Sequence, residues 1–369
     1  MDESLRARHR SSFKDQAFEA AVSAFLWAFR IFLVLIVVVG SVSTFAAGRY
    51  SVDTWAGLIL GGAVQGGIYA VIALGYTMVY GIMRMINFAH GEVFMIGIFT
   101  GYFTASILQD LDLLNANPLT SAFSFLLMLL AAGTVSTLVA LAVERVAYRP
   151  LRNSPRLVLL IAAIGASFFL QYTVSGLVGP GIFRYPRITI LQDRVAVPFL
   201  SDLGLKWIDV VVLGSAVLMM AGLYLFVMRS RIGTAIRAVS EDKDTAALMG
   251  IDVNRAIVTT FAVGAAMAGA AGVLYGLVWG QVQFFTGFIP GIKAFTAAVL
   301  GGIGNIPGAM LGGFVLGEAE SLGSLLFLEG LGVPAPNQLK DVIAFTILVM
   351  VLMFRPQGIL GERLSGTRA

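Results

Sequence analysis

Long runs of apolar residues without charge recur along nearly the whole chain, for example at 31–47 and 58–83. Each run approaches or exceeds the roughly 20 residues that an α-helix needs to cross the hydrocarbon layer of a membrane. The pattern therefore predicts an all-α, polytopic transmembrane helical bundle with about eight full spans. By apolar length, the spans are expected at 25–47, 56–83, 88–108, 119–143, 157–178, 207–228, 256–280 and 340–354.

One further apolar segment, at 292–327, is interrupted by the stretch 301–308, GGIGNIPG. Glycine permits unusual backbone angles, Asn305 can cap a helix, and Pro307 is tolerated in a first helical turn. We expect a re-entrant or broken helical hairpin here. Its first arm, 292–302, would be about 16 Å long, which places the break near mid-membrane.

Irregular backbone at that depth is tolerated only where protein or a water-filled cavity surrounds it. The break is therefore a candidate substrate pathway, and a glycine-rich packing kink without a ligand is the alternative. The candidate pathway residues are Gly301, Gly302, Gly304, Asn305, Ile306 and Pro307. Other glycines recur four residues apart, as at Gly97 and Gly101 or Gly313 and Gly317, which indicates close helix packing.

Composition supports the membrane assignment, because 58% of the 369 residues are hydrophobic and only 12% are charged. The chain has no cysteine, which excludes disulfides, thiol catalysis and thiolate metal sites. Its only histidines are His9 and His90, which leave little for a metal cluster. We therefore expect no catalytic residues and no metal site.

The basic residues are distributed unequally between the two sides of the predicted bundle. If the N-terminus is cytoplasmic, the outside loops hold six of the 25 lysines and arginines: Arg49, Arg184, Arg187, Arg194, Lys206 and Lys340. Arg30 and Lys293 fall near or within apolar segments, and the other 17 lie in inside loops. This positive-inside bias predicts two cytoplasmic termini, so the net charge of +4 indicates topology and not a nucleic-acid partner.

The chain is expected to begin with a basic, amphipathic cytoplasmic arm at 1–24 and an additional transmembrane helix at 25–47. A cleaved signal peptide is the alternative for this region, but the apolar run is long and lacks a clear small-x-small cleavage site. The main transmembrane domain is expected at 56–356, with a basic inside loop at 229–255. A cytoplasmic tail is expected at 357–369.

A short helix is predicted within the inside loop, at 241–250, because acidic residues begin it and a glycine ends it. Its apolar residues Ala246, Leu248 and Met249 cannot be buried in the bilayer from a polar loop. They need a partner protein or the chain's own loops. A solvated loop helix is the simpler alternative.

The sequence NFAHGE, 87–92, opens the third predicted span. Asn87 is expected to cap this helix. Glu92 lies in its first turn, where the positive end of the helix dipole stabilises a carboxylate. We interpret Asn87, His90 and Glu92 as structural or gate residues, with proton relay or substrate contact as the alternative. Glu318 and Glu320 are expected to be solvated near the outer end of the hairpin.

Four stretches go beyond generic membrane-protein composition. The first two are 69–92, YAVIALGYTMVYGIMRMINFAHGE, and 293–309, KAFTAAVLGGIGNIPGA. The other two are 144–152, ERVAYRPLR, and 233–251, GTAIRAVSEDKDTAALMGI. In this order they resemble the branched-chain amino-acid permease family of ABC importers, over about 56–361. The arm and helix before residue 56 depart from the more compact family pattern.

The resemblance implies a permease subunit of the bacterial inner membrane that alternates between inward- and outward-facing states. It implies two cytoplasmic ATPase subunits that hold ATP and Mg, a second permease subunit, either a related paralogue or another copy, and a periplasmic substrate-binding protein. The loop helix would be the coupling helix that docks on an ATPase, through Glu241, Asp242, Ala246, Ala247, Leu248, Met249 and Gly250. The chain has no G-x-x-x-x-G-K-[ST] phosphate loop, so it is not expected to be an enzyme or to bind a cofactor itself.

Three functions remain open at this point. The favoured one is import of branched-chain or related amino acids, with the substrate carboxylate at the half-helix that starts near Ile306. A urea or short-amide permease of the same family is the second. An ion-coupled secondary transporter or channel is the third, although the central spans offer almost no ionisable residues for a coupling ion. A membrane scaffold would not need a broken helix.

Overall fold

A computed structural model describes residues 3–152, 154–195, 204–355 and 357–361, with side chains described from residue 18 onward. The basic side chains of the N-terminal arm and residues 362–369 of the expected tail lie outside the described residues. The described chain is almost entirely helical, which confirms the prediction of an all-α polytopic bundle.

The helices of the first half are α1 (Glu3–Ala47), α2 (Val52–Met83), α3 (Ala89–Asp110), α4 (Pro118–Val143), α5 (Arg156–Val178) and α6 (Thr189–Gln192). Those of the second half are α7 (Trp207–Arg229), α8 (Arg231–Glu241), α9 (Lys243–Leu248), α10 (Val253–Trp279), α11 (Phe288–Gly301), α12 (Ile306–Gly323) and α13 (Lys340–Phe354). Two short strands, β1 (Phe183–Arg184) and β2 (Gln281–Val282), pair antiparallel.

Nine helices of the described chain are long and apolar enough to cross a membrane. They are Phe18–Ala47, Val52–Met83, Ala89–Asp110, Pro118–Leu151, Arg156–Val178, Trp207–Arg229, Val253–Trp279, Ile306–Leu331 and Pro336–Phe354. Eight of these correspond to the predicted spans. The ninth is the second arm of the expected hairpin, which π and 3₁₀ turns extend from Gly323 to Leu331, so this arm is longer than the sequence indicated.

The hairpin itself is present as α11, a break at 302–305, and α12. At 1.5 Å per residue, the 14 residues of α11 span about 21 Å, which is too short to cross the hydrocarbon layer. Near the N-terminus, the backbone of α1 runs without a break through the boundary expected between the arm and the first span.

The chain divides into two compact units, of which the first comprises residues 1–51 and 322–340. Within it, Gly40 of α1 lies against the backbone of Phe327, in the π turn that follows α12. The Thr44 hydroxyl donates a 3.1 Å hydrogen bond to the carbonyl of Leu326 in the same turn. This bond joins α1 to the π turn.

The second unit comprises residues 52–321 and 341–369, and its interior is built by α2, α3 and α10. Glycines allow these backbones to approach closely: a Cβ at Gly97 of α3 would lie 2.5 Å from the Cα of Gly269 in α10. Likewise, a Cβ at Gly313 of α12 would lie 2.5 Å from the Cα of Ala70 in α2. The predicted packing role of the glycine pairs is confirmed at these positions. The outer helices α4, α5 and α7 leave most of their apolar surface exposed, as lipid contact requires.

Candidate functional site

The predicted loop helix is present as α9, but it is shorter than the expected 241–250: Glu241 is the last residue of α8, and Asp242 is the cap of α9. Both ends of α9 are specified locally. The Asp242 carboxylate accepts hydrogen bonds from the backbone nitrogens of Asp244 (2.9 Å) and Thr245 (3.1 Å), and from the Thr245 hydroxyl (2.7 Å). The hydroxyl bond, followed by the backbone bonds, lowers the pKa of Asp242. Gly250 ends the helix with φ = +81°, a conformation that favours glycine.

The far end of α9 carries an exposed apolar surface. Leu248 is 88% exposed and Met249 is 78% exposed, and Ala247 beside them is also exposed. Ala246, which the sequence placed in the same docking surface, is instead buried within this chain at 4% exposure. We call Ala247, Leu248 and Met249 the apolar tip; Ala246 anchors α9 to its own subunit.

A cluster of polar contacts holds the α8–α9 loop against the rest of the second unit. Arg152 contacts the Glu144 carboxylate and donates a 2.9 Å hydrogen bond to Oδ1 of Asn254, which opens α10 just after the loop. Arg84 donates a 2.9 Å hydrogen bond to the carbonyl of Ser240 at the end of α8. Burial lowers the pKa of Lys243, and the positive charges of Arg152 and Arg84 lower it further. The stretch 144–152 therefore supports the loop that carries the apolar tip.

The start of α3 differs from the sequence-based expectation. Phe88, not Asn87, is the residue at the cap position, and no side chain caps this end. The Oδ1 of Asn87 accepts a 2.6 Å hydrogen bond from the hydroxyl of Tyr148, and both side chains are buried. The prediction that Asn87 caps α3 is wrong, because Asn87 lies one residue before the cap position and its side chain contacts Tyr148 instead.

His90 and Glu92 are both buried in the first turn of α3. The His90 ring packs edge-on against Tyr76 with ring centroids 4.7 Å apart. The Ser167 hydroxyl of α5 donates a 3.3 Å hydrogen bond to Oε1 of Glu92. These contacts tie α3 to α2 and α5, which is compatible with the structural or gate role expected for both residues.

The break between α11 and α12 has the local features that its sequence predicts. Gly302 and Gly304 adopt φ values of +106° and +99°, where a side chain would be strained. Asn305 Oδ1 accepts a 3.0 Å hydrogen bond from the backbone nitrogen of Gly308, so its predicted capping role is confirmed. Pro307 lies in the first turn of α12. Gly304 and Pro307 are exposed, whereas Gly301, Gly302 and Ile306 are buried.

The C-terminal segment covers one side of this break. The backbone nitrogens of Ile359 and Leu360 donate to the carbonyls of Leu300 (2.8 Å) and Gly301 (3.0 Å). The Asn305 amide in turn donates to the carbonyl of Leu360 at 2.9 Å. Residues 357–361, which the sequence assigned to the cytoplasmic tail, are thus packed on the break. Because these residues directly follow α13, the break lies beside the end of that helix and not near mid-membrane as expected.

The sequence reasoning missed a buried charge cluster. The Nζ of Lys293 in α11 lies 3.0 Å from Oε2 of Glu320 in α12 and 2.6 Å from Oδ1 of Asp341 in α13. The expectation that Glu320 is solvated is wrong, since its side chain is fully buried. Glu318, also expected to be solvated, is half-buried, and its Oε2 has no hydrogen-bond partner among the described residues. The expectation that the central spans offer almost no ionisable residues is also wrong. An ionisable residue inside an apolar run, such as Lys293, was the signal.

A known protein family matches the part of the chain that contains the four stretches described above. Residues 58–352 match the family described as branched-chain amino acid transport system / permease component. The match begins after the first span, so α1 lies outside it. No solved structure matches the chain.

Two relatives match over most of their own length. The chain is 44% identical to the high-affinity branched-chain amino acid transport system permease protein BraD of Pseudomonas aeruginosa, over 82% of this chain and 95% of the relative. It is 43% identical to the high-affinity branched-chain amino acid transport system permease protein LivH of Escherichia coli K12, over 82% of this chain and 94% of the relative.

A weaker match covers a different permease protein. The probable branched-chain amino acid transport permease protein LivM of Methanocaldococcus jannaschii is 28% identical over 149 residues, which is 38% of this chain and 43% of the relative. Together, the family match and the two close relatives leave one assignment: the chain belongs to the family of permease components of branched-chain amino acid transport systems.

Proposed function

We propose that this chain is the membrane-spanning permease subunit of an ATP-driven importer of branched-chain amino acids. The support for the substrate is the identity of more than 40% to BraD and LivH, whose names state that they belong to such transport systems. In this proposal, a periplasmic binding protein delivers the amino acid, and the chain lies in the bacterial inner membrane with both termini in the cytoplasm. The distribution of basic residues supports that orientation.

The importer contains a second permease subunit and two cytoplasmic ATPase subunits, which bind ATP and Mg. The partial similarity to LivM supports a second, related permease subunit. The ATPases are expected on separate chains because this sequence has no phosphate loop. The break at 301–308 and the helices around it form half of the substrate pathway.

The single observation that carries the ATPase contact is the apolar tip of α9. Leu248 and Met249 extend from a capped helix in a loop outside the candidate spans, where lipid tails cannot cover them. Arg152 and Arg84 hold this loop at the ends of α8 and α10, so a force applied to the tip reaches the bundle. A rigid loop with an exposed apolar end is what a docking contact requires.

The experiment compares Leu248→Asp with a matched control, Leu111→Asp, in the complete importer. Leu111 is 62% exposed in the α3–α4 loop, so both variants place one charge at an exposed loop leucine. We expect Leu248→Asp to insert normally but to lose ATPase co-purification and leucine uptake, and Leu111→Asp to retain both. Normal ATPase association and uptake in Leu248→Asp would remove α9 from the ATPase contact.

A further inference from the structure

The two carboxylate oxygens of Glu320 have very different surroundings. Oε2 receives hydrogen bonds from Gln65 Nε2 (2.6 Å), Tyr69 Oη (3.1 Å) and Lys293 Nζ (3.0 Å). Oε1 is equally buried and has no hydrogen-bond partner among the residues that the structure describes. A buried acceptor without a donor is costly, so a hydrogen-bond donor placed at Oε1 would be stabilising.

The Lys293 ammonium contacts two carboxylates that differ in exposure. Its ammonium lies between the buried Glu320 and Asp341, whose side chain is 50% exposed. Two carboxylates thus face one ammonium, and the cluster carries one excess negative charge if all three groups are ionised. The Tyr69 ring adds a cation–π contact, with Lys293 Nζ 5.8 Å from the ring centroid. The cluster therefore attracts a second cationic group from its exposed Asp341 side.

A purely structural role does not require this chemistry. Removing two charges from water is expensive, and well-packed apolar residues of similar volume usually stabilise a helix contact at least as well as a buried ion pair. Ionisable residues inside membrane spans mark substrate or ion pathways in general. Here the pair joins α11, the short arm of the hairpin, to α12, and a third charge comes from α13.

We propose that Glu320 and Lys293 form the site that recognises the charged groups of the transported amino acid, Glu320 binding its α-ammonium and Lys293 its α-carboxylate. A zwitterion that enters between the two side chains exchanges one internal ion pair for two new ones, so no buried charge loses its partner. The free Oε1 of Glu320 receives an ammonium donor. Urea and simple amides carry no ammonium and cannot make this exchange. This assignment replaces the half-helix near Ile306, which the sequence suggested for the carboxylate. The inference rests on the proposed function and deepens it.

The test uses the complete importer in proteoliposomes with binding protein, leucine and ATP. Glu320→Gln keeps the size of the side chain and removes its charge; the double variant Lys293→Met with Glu320→Leu replaces the pair by apolar residues. Asp110→Asn, which likewise removes one carboxylate charge but at the exposed end of α3, is the control. The readout is leucine imported per ATP hydrolysed. Wild type is measured first, since a wild-type importer that takes up no leucine contradicts the proposed function and not this site.

We expect both cluster variants to assemble and to keep ATP hydrolysis stimulated by the loaded binding protein. Leucine imported per ATP should fall about tenfold or more, because a charge-assisted contact to the substrate is lost. Asp110→Asn should match wild type. Wild-type uptake by the apolar double variant overturns the proposal and assigns the pair to packing. Failure of both cluster variants to assemble overturns it as well, by assigning the pair to folding.

Discussion

The hydroxyl of Tyr148 donates a 2.6 Å hydrogen bond to Oδ1 of Asn87, joining two residues that are 61 positions apart. Tyr148 belongs to the π turn Glu144–Tyr148, and Arg152 a few residues later holds the loop that carries the apolar tip. Asn87 directly precedes α3, whose first turn contains His90 and Glu92. The bond therefore connects the support of the proposed ATPase contact with the buried start of α3.

Removing this bond should destabilise the protein, because it leaves one buried polar group without a partner. We expect Tyr148→Phe to lower the free energy of unfolding by about 1–3 kcal/mol, and Asn87→Ala to do the same. The double variant should cost less than the sum of the two single variants, because both remove the same interaction. Thermal unfolding of the purified protein measures all three; strictly additive losses would show that the two residues act independently.

Arg152 should be needed for coupling more than for stability. Arg152→Lys keeps the positive charge but loses the planar fork that reaches both Glu144 and Asn254. We expect ATP hydrolysis to continue while leucine uptake falls. Arg149→Lys, at an exposed arginine in the same segment, is the control and should leave both unchanged. Equal behaviour of the two variants would mean that the bridge does not transmit motion.

The cap at Asp242 should set the order of α9. Asp242→Ala removes an acceptor for the first turn and should destabilise this helix, seen as faster hydrogen exchange at Asp244 and Thr245. Asp244→Ala is the control, because its side chain is exposed and its backbone nitrogen is the group that is capped. An unchanged exchange rate in Asp242→Ala would show that the cap is not needed.

The pKa of Asp242 fixes the sign of the pH dependence of this cap. Because the pKa is lower in the folded state than in the unfolded one, the stabilisation is fully present above the ordinary aspartate value and is lost as the pH falls through the lowered value. The difference in the stability of α9 between wild type and Asp242→Ala should therefore be constant from about pH 8 down to about pH 5. A difference that shrinks within that range would contradict the assigned cause.

The orientation is directly testable because the chain has no cysteine of its own. Single cysteines at Ser12 and Ser365 should be closed to a membrane-impermeant reagent added from the periplasm. A cysteine at Asp110, at the exposed end of α3, should be labelled from that side and serves as the control. Periplasmic labelling at position 12 or 365 would overturn the proposed topology.

The break between α11 and α12 should be reached by water if it lines the pathway. Cysteines at Ile303 and Pro307, which are partly or fully exposed, should react with a water-soluble reagent, and substrate or nucleotide should change the rate. Leu218→Cys, 73% exposed on the apolar face of α7, should stay unreactive in the bilayer. Inaccessible positions in both inward- and outward-facing states, with assembly intact, would assign the break to packing.

The sequence by itself determined the helices and some of their local ends. The lengths of the apolar runs located the spans, since crossing the hydrocarbon layer requires about 20 apolar residues. The residues Asp242, Gly250 and Asn305 act on backbone groups within three or four positions, so their roles could be predicted without knowledge of the fold. The glycine-rich sequence likewise located the break.

Only the tertiary structure decided which faces meet. In lipid, the faces of a helix that contact protein and those that contact acyl chains are both apolar, so hydropathy does not identify the buried side. The exposure of Leu248 beside the buried Ala246, the Asn87–Tyr148 bond and the packing of residues 357–361 on the break all depend on that arrangement. The pairing of Lys293 with Glu320 depends on it too, because the two charges lie on separate helices and become partners only when those helices pack.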